Sequence, residues 1–213
     1  MIITISGTPG SGKSTVAKIL AKELGAERIY VGEIRRELAR QKGMTLQELN
    51  GYALTHPETD VDVDKDVAQR ARMLENKKKK DENRKEEEKR EKGKKKEKEK
   101  IVLVEGRTQF HFLPESVKIY LKVSVDEAAR RIWNDLQQEE KKKERNEGNF
   151  NSLAQVKKEI LAREENDVQR YKKYYGIDHR DEKQYDLIVD STHQTPEEVV
   201  QKIMVFLRNN AKV

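Results

Sequence analysis

Gly7-Thr8-Pro9-Gly10-Ser11-Gly12-Lys13-Ser14 decides how this chain is read. Before it stands Ile2-Ile3-Thr4-Ile5-Ser6, a short apolar run that predicts a buried strand. After it a helical stretch runs from Thr15 to Leu24, with Gly25 placed to cap it. The octapeptide fits G-x-x-x-x-G-K-[ST] between a strand and a helix, the context a phosphate-binding loop needs. Its glycines let successive backbone N–H groups turn inward as an anion-binding nest, to which the helix adds its positive N-terminal end. Lys13 then reaches the β- and γ-phosphates of a nucleotide, and the Ser14 hydroxyl offers an oxygen to Mg²⁺. Gly7, Thr8, Pro9, Gly10, Ser11, Gly12, Lys13, Ser14 and the adjoining Thr15 form the expected donor-nucleotide site. A chain of average composition would match this pattern by chance in roughly 1% of cases, before the flanking elements are demanded.

Working outward, Arg28 to Val31, Ile101 to Glu105, Val117 to Lys122 and Asp186 to Asp190 read as further short strands. Helical stretches are expected around Gly32 to Gln41, Leu46 to Leu54, Asp126 to Gln137, Leu153 to Tyr175 and Pro196 to Arg208. Strands alternating with helices predict a parallel sheet covered on its faces, and 213 residues suit one such domain. Residues 76–100 break the pattern: 14 Lys or Arg against 8 Asp or Glu give an excess of six, equal to the formal +6 of the whole chain. The basic balance therefore belongs to one low-complexity insert. With no apolar periodicity the insert is expected to be a solvated charged helix or disordered, and no aromatic residue interrupts it for stacking on bases. Cysteine is absent, no apolar run approaches the ~20 residues of a spanning helix, and no leader is expected, so the reading is a soluble cytoplasmic protein. His56, His111, His179 and His193 show no metal-ligand spacing and read as ordinary polar residues.

Three further groups carry chemistry. Glu105, in Ile101-Val102-Leu103-Val104-Glu105-Gly106-Arg107, sits where a buried strand emerges, the end at which ligands bind in open α/β sheets. Its carboxylate is placed to hold Mg²⁺ directly or through water, and Arg107 to face an acceptor phosphate. On the helix from Leu153, the apolar positions Leu153, Val156 and Ile160 are continued along the same stripe by Arg163, Asp167, Arg170 and Tyr174. A buried face that turns ionic predicts a polar cleft, with two guanidiniums for phosphate and a carboxylate that orients one of them or meets a sugar hydroxyl. Asp60, Asp62 and Asp64 fail as a calcium loop, since Lys65 and Ala71 stand where glycine and glutamate are required. On a helix Asp60 and Asp64 share a face, either to recognise donors on an acceptor base or simply as solvated carboxylates.

These residues resemble the cytidylate kinases, in particular their compact archaeal-type branch. The likeness rests on GTPGSGKSTVAK, YVGEIRRELARQKGMTLQELN, PETDVDVDKD, VLVEGR, KIYLKV, REENDVQRYKKYYGID and YDLIVDSTHQTPEEVV. It spans most of the chain, leaving out the insert and residues 138–150. The resemblance implies a P-loop NTP hydrolase-like three-layer α/β fold: a five-stranded parallel sheet with an acceptor arm (about 32–74) and a lid (about 138–150, containing Gly148). It implies that Arg36 and Arg107 contact the acceptor phosphate and that Arg163, Asp167 and Arg170 act from the lid helix. It further implies that adenine lies near Ser191 and Thr192, with Arg131 on the donor phosphates. One departure stands out: Thr108-Gln109-Phe110-His111-Phe112 is bulky where the family often has small residues.

The expected activity is transfer of the γ-phosphoryl group of magnesium ATP to a nucleoside monophosphate, CMP or dCMP first, by a monomer whose partners are small-molecule nucleotides. A kinase of the same fold acting on AMP, UMP or a small metabolite is the nearest alternative. A nucleotide-gated RNA-binding protein, holding RNA through the insert, is the alternative from another class.

Overall fold

The computed structural model describes residues 1–90, 101–146 and 150–210, and for 77–90 the course of the backbone alone. Five strands, β1 (Ile2–Gly7), β2 (Glu27–Tyr30), β3 (Val102–Glu105), β4 (Val117–Lys122) and β5 (Leu187–Asp190), form one parallel sheet in the order β2-β3-β1-β4-β5. β1 and β3 are buried along their whole length, which is why they read as continuous apolar runs rather than as alternating strands. Both end beside the sheet's carboxyl edge, where Ile5 pairs with Glu105.

On one face lie α1 (Lys13–Leu24) and α9 (Pro196–Asn209), whose Val16, Leu20, Val200, Ile203 and Leu207 close over Ile3, Ile5, Leu103 and Ile119. The other face is covered by α4 (Glu58–Arg90), with Val67, Ala68 and Ala71 against Val102 and Val104. Between β2 and α4 the chain makes α2 (Val31–Gln41) and α3 (Leu46–Tyr52). β3 is followed by the short α5 (Gln109–Phe112), and β4 by α6 (Val125–Leu136), α7 (Glu139–Arg145) and α8 (Leu153–Tyr175). Local sequence sets the starts. Thr45 with Glu48, and Thr195 with Glu198 behind Pro196, are capping boxes, while Ser124 and Ser152 each accept a backbone N–H from the first turn. Gly25 and Gly176 end α1 and α8 in the left-handed conformation.

The expected strands and long helices are present with ends shifted by one or two residues. The helical alternative for the charged insert holds as far as the described residues reach, and three differences from expectation stand beside it. α4 carries the charged insert on as continuous helix through Arg90; the remainder of the insert, 91–100, lies outside the described residues, as does Gly148. α4 from Glu58, α5 and α7 were not among the expected helical stretches; α5 is only four residues long, and α7 has no buried residue to mark an apolar face. Leu153, taken as the start of the buried stripe on α8, is 44% exposed, and burial begins at Val156. Of the aromatics after Arg107, Phe110 is buried against Tyr185, Phe112 is half-buried against Tyr175 and His111 is exposed, and none of the three lines the cleft described below.

Candidate active site

A cleft of about 890 Å³ opens over the carboxyl edge of the sheet. Its walls come from the loop before α1, the start of α2, α4, the turn after β3, α6, α7, α8 and the loop after β5. Pro9 through Thr15 line it; Gly7 and Thr8 stand behind that wall. Gly10 and Gly12 are glycine for identifiable reasons. Both have positive φ, and a Cβ on Gly10 would lie 2.8 Å from the Ala128 backbone, so only glycine lets the loop rest on α6. Gly12 caps α1, directing that helix's N-terminus into the cleft.

Lys13 Nζ donates to the carbonyls of Gly7 and Thr8 at 2.7 and 2.6 Å. Burial, with the Arg107 charge adding to it, pushes its ammonium down to about 7. Ser14 Oγ donates to Glu105 Oε1 at 2.7 Å, and the other carboxylate oxygen takes a hydrogen bond from Arg28. At the far end Arg131 ties the loop after β5 to the phosphate loop. Its guanidinium donates to the Ser191 carbonyl at 2.7 Å, to the Thr192 carbonyl at 3.3 Å and to the Gly10 carbonyl at 3.4 Å, while Ser191 Oγ donates to the Ser11 carbonyl at 3.0 Å.

Opposite this donor end stands a buried chain of alternating charges. Arg35 pairs with Asp60, Asp60 with Arg170, Arg170 with Asp167, and Asp167 with Arg107. Arg170 is 1% exposed and Asp60 2%, so neither ion has water to fall back on; each depends on the next. Asp167 thus orients two arginines, Arg170 and Arg107, which answers what the carboxylate on the ionic face does. Asp64, one turn along α4 from Asp60, accepts from Thr108, Gln109 and Tyr175, each at 2.8 Å. Both carboxylates are buried on the cleft wall, not solvated. Burial raises the Asp64 carboxyl to about 6 against the opposing hydrogen bond from Thr108. Arg36 and Arg163 also line the cleft; Arg36 donates to Tyr30 Oη at 2.7 Å and to the Arg145 carbonyl at 3.0 Å, joining α2 to the end of α7.

All the residues expected at the site therefore converge on one cleft except Gly7 and Thr8, whose part is to hold Lys13 through their carbonyls. Sequence reasoning missed Arg35, Asn50, Glu164, Arg28 and His179. Arg35 donates to Asn50 Oδ1 at 3.1 Å, and Glu164 lies 3.4 Å from Arg107. His179 is no ordinary surface histidine: it is fully buried, 3.6 Å from Glu164, and its ring sits edge-on to Tyr171. Burial lowers the His179 imidazole. Burial alone would raise Glu164, but the Arg107 charge and the neighbouring His179 outweigh it and hold Glu164 at about 2. Only Arg35 had a visible signal, its place one residue before Arg36; the others are brought in by chain crossings that periodicity does not encode.

A phosphate loop on a five-stranded parallel sheet, facing an arginine-lined wall, defines a P-loop kinase of small substrates. The solved shikimate kinases of Acinetobacter baumannii (TM-score 0.52, 17% identity, covering 98% of this chain and 93% of that one) and Bacteroides thetaiotaomicron (TM-score 0.52, 15% identity, 98% of each chain) share the fold. The AAA domain family matches residues 3–152. The cytidylate kinase of Sulfurisphaera tokodaii is 32% identical over 209 residues, covering 97% of this chain and 95% of its own. That of Methanothrix thermoacetophila is 35% identical over 191 residues, covering 90% of this chain and 88% of its own. The chain belongs to the cytidylate kinase family. Among the described residues no helix is long and apolar enough to cross a membrane.

Proposed function

We propose that the chain transfers the γ-phosphoryl group of ATP to CMP or dCMP, giving ADP and CDP or dCDP, with Mg²⁺ as the metal. One observation carries the reading. The phosphate loop and the Arg107-Asp167-Arg170 chain face each other across a single cleft, so two polyanions entering from its two ends meet between cations. The membership in the cytidylate kinase family supports CMP as acceptor.

The acceptor's phosphate oxygen is already an anionic nucleophile. It bonds to the γ-phosphorus as the bond to the β,γ-bridging oxygen breaks, and ADP leaves with that electron pair. No general base is needed, and catalysis is positioning and charge neutralisation. Lys13 serves the β- and γ-phosphates, Arg131 the donor phosphates, Ser191 and Thr192 the adenine side. Arg36 and Arg107 receive the acceptor phosphate, and Arg163 and Arg170 the charge that moves between the two. Asp60 and Asp64 face the acceptor nucleoside. Ser14 Oγ and Glu105 Oε1, hard oxygens 2.7 Å apart at the loop's mouth, fit Mg²⁺, which when bound neutralises phosphate charge. Residues 138–150, of which α7 forms part, act as a lid that covers the two bound nucleotides and excludes water, and residues 32–74 act as the acceptor arm. The enzyme works as a monomer, and the lysine-rich insert takes no part in turnover.

Initial rates of ADP release with CMP, dCMP, UMP, AMP and GMP at equal concentration test this. CMP and dCMP are expected to lead. Preference for AMP would overturn the choice of acceptor, and steep salt-dependent RNA binding without acceptor-stimulated turnover would overturn the kinase reading.

A further inference from the structure

Arg28 has no place on the cleft wall, yet it touches the carboxylate that matters most there. Arg28 and Tyr30 are two residues apart on β2 and so project from the same face of the sheet, and Tyr30 stands opposite Glu105 in the parallel register of β2 and β3. Arg28 donates to Glu105 Oε2, the oxygen that Ser14 leaves open. Its guanidinium carbon lies 4.6 Å from the centre of the Tyr30 ring, and that of Arg36 lies 5.5 Å from the same ring. Arg36 also donates to Tyr30 Oη at 2.7 Å and to the Arg145 carbonyl at 3.0 Å. The ring is seated tightly, since a Cβ on Gly32 would come within 2.6 Å of it.

We propose that Arg28 is a positioning residue that links the donor half of the cleft, through Glu105, to the acceptor half, through Tyr30 and Arg36. The inference rests on the reading above, in which Glu105 serves the metal and Arg36 the acceptor phosphate. Glu105 is 2% exposed, so its carboxylate needs a cation and a donor to stay in place, and Arg28 supplies both. The planar face of the same guanidinium fixes the ring against which Arg36 is aligned. One side chain thereby sets two groups that serve different substrates. Lysine would keep the charge beside Glu105 but has neither the fork nor the flat face.

The test pairs two readouts on R28M, R28K, Y30F and E105Q: the affinity of Mn²⁺ for the protein saturated with a non-hydrolysable ATP analogue, followed by electron paramagnetic resonance, and the division of any rate loss between KM for CMP and kcat. R28M is expected to weaken Mn²⁺ binding and to raise KM for CMP, each by about tenfold. R28K should restore Mn²⁺ binding but not KM, and Y30F should raise KM while leaving Mn²⁺ binding unchanged. A folded R28M that alters one readout alone, or an R28K that restores both, overturns the proposal; if R28M does not fold, R28K and Y30F decide. E105Q separates the two levels. If it weakens Mn²⁺ binding and R28M does not, the role of Arg28 falls alone. If it binds Mn²⁺ as the parent does, the assignment of Glu105 falls and the link with it.

Discussion

Arg107, in the turn after β3, forms an ion pair with Asp167 in the middle of α8, and the same carboxylate holds Arg170 with its other oxygen. The helix that carries the expected phosphate-stabilising arginines is thereby locked to the strand end that carries Glu105. Asp167→Asn would take a counter-charge from the buried Arg170 and from the partly buried Arg107. A loss of about 3–5 kcal/mol in unfolding free energy is expected, with turnover falling together with stability. Urea denaturation and initial rates on the same preparation measure both; a variant as stable as the parent would show that Asp60 alone suffices for Arg170.

Arg163 and Arg170 should part company on mutation. Arg170 is fully enclosed between Asp60 and Asp167, so Arg170→Ala is expected to destabilise the protein strongly. Arg163, half-buried on the cleft wall, should instead lose maximal rate, by ~10³-fold, with ATP affinity little changed. Steady-state kinetics with direct ATP titration check this, and wild-type turnover of Arg163→Ala would remove it from the mechanism.

Lys13→Ala should abolish phosphoryl transfer with the far-UV spectrum unchanged, because the ammonium bonds to the loop's own carbonyls and supports no part of the apolar core. Near-normal turnover in the folded variant would end the P-loop mechanism.

Asp64 makes stability depend on pH with an unusual sign. Its carboxyl is raised from 3.8 to about 6, mainly by burial, so the folded state holds the proton more tightly than the unfolded chain. The associated stability is full below about pH 4 and is lost as pH rises through 6, a swing of about 3 kcal/mol. Asp64→Asn should lack this swing. Unfolding free energies of parent and variant at pH 4, 5, 6 and 7 should therefore differ by an amount that changes steadily in the variant's favour; a constant difference would show that Asp64 is ionised throughout.

Replacing residues 76–100 with a short Gly/Ser linker should leave turnover within a few-fold of the parent. The segment contains none of the residues placed at the site, and closing the gap with a flexible linker costs only about 0.6 kcal/mol per doubling of linker length. Weak salt-sensitive binding to polyanions should disappear with it, because the net +6 resides there. A folded deletion variant without turnover would place the insert in the active site.

The sequence by itself determined the phosphate loop, the parallel sheet and the ionic face of α8, since each is written in local order: glycine spacing before Lys13, apolar runs of strand length, and a 3.6-residue stripe that turns from Val156 and Ile160 to Asp167 and Arg170. It also put Asp60 and Asp64 on one face should their stretch be helical, leaving open whether water or protein met them. Only the tertiary structure decided that both are buried, that Arg28 rather than solvent balances Glu105, that His179 is enclosed beside Glu164, and that Phe110 after Arg107 fills the interior. The physical reason is range. Periodicity reports which way a residue points from its own helix or strand, whereas the partner of a buried charge is chosen by where another element crosses, and Arg170 meets Asp60 only because α8 is laid against α4 by the packing of the whole chain.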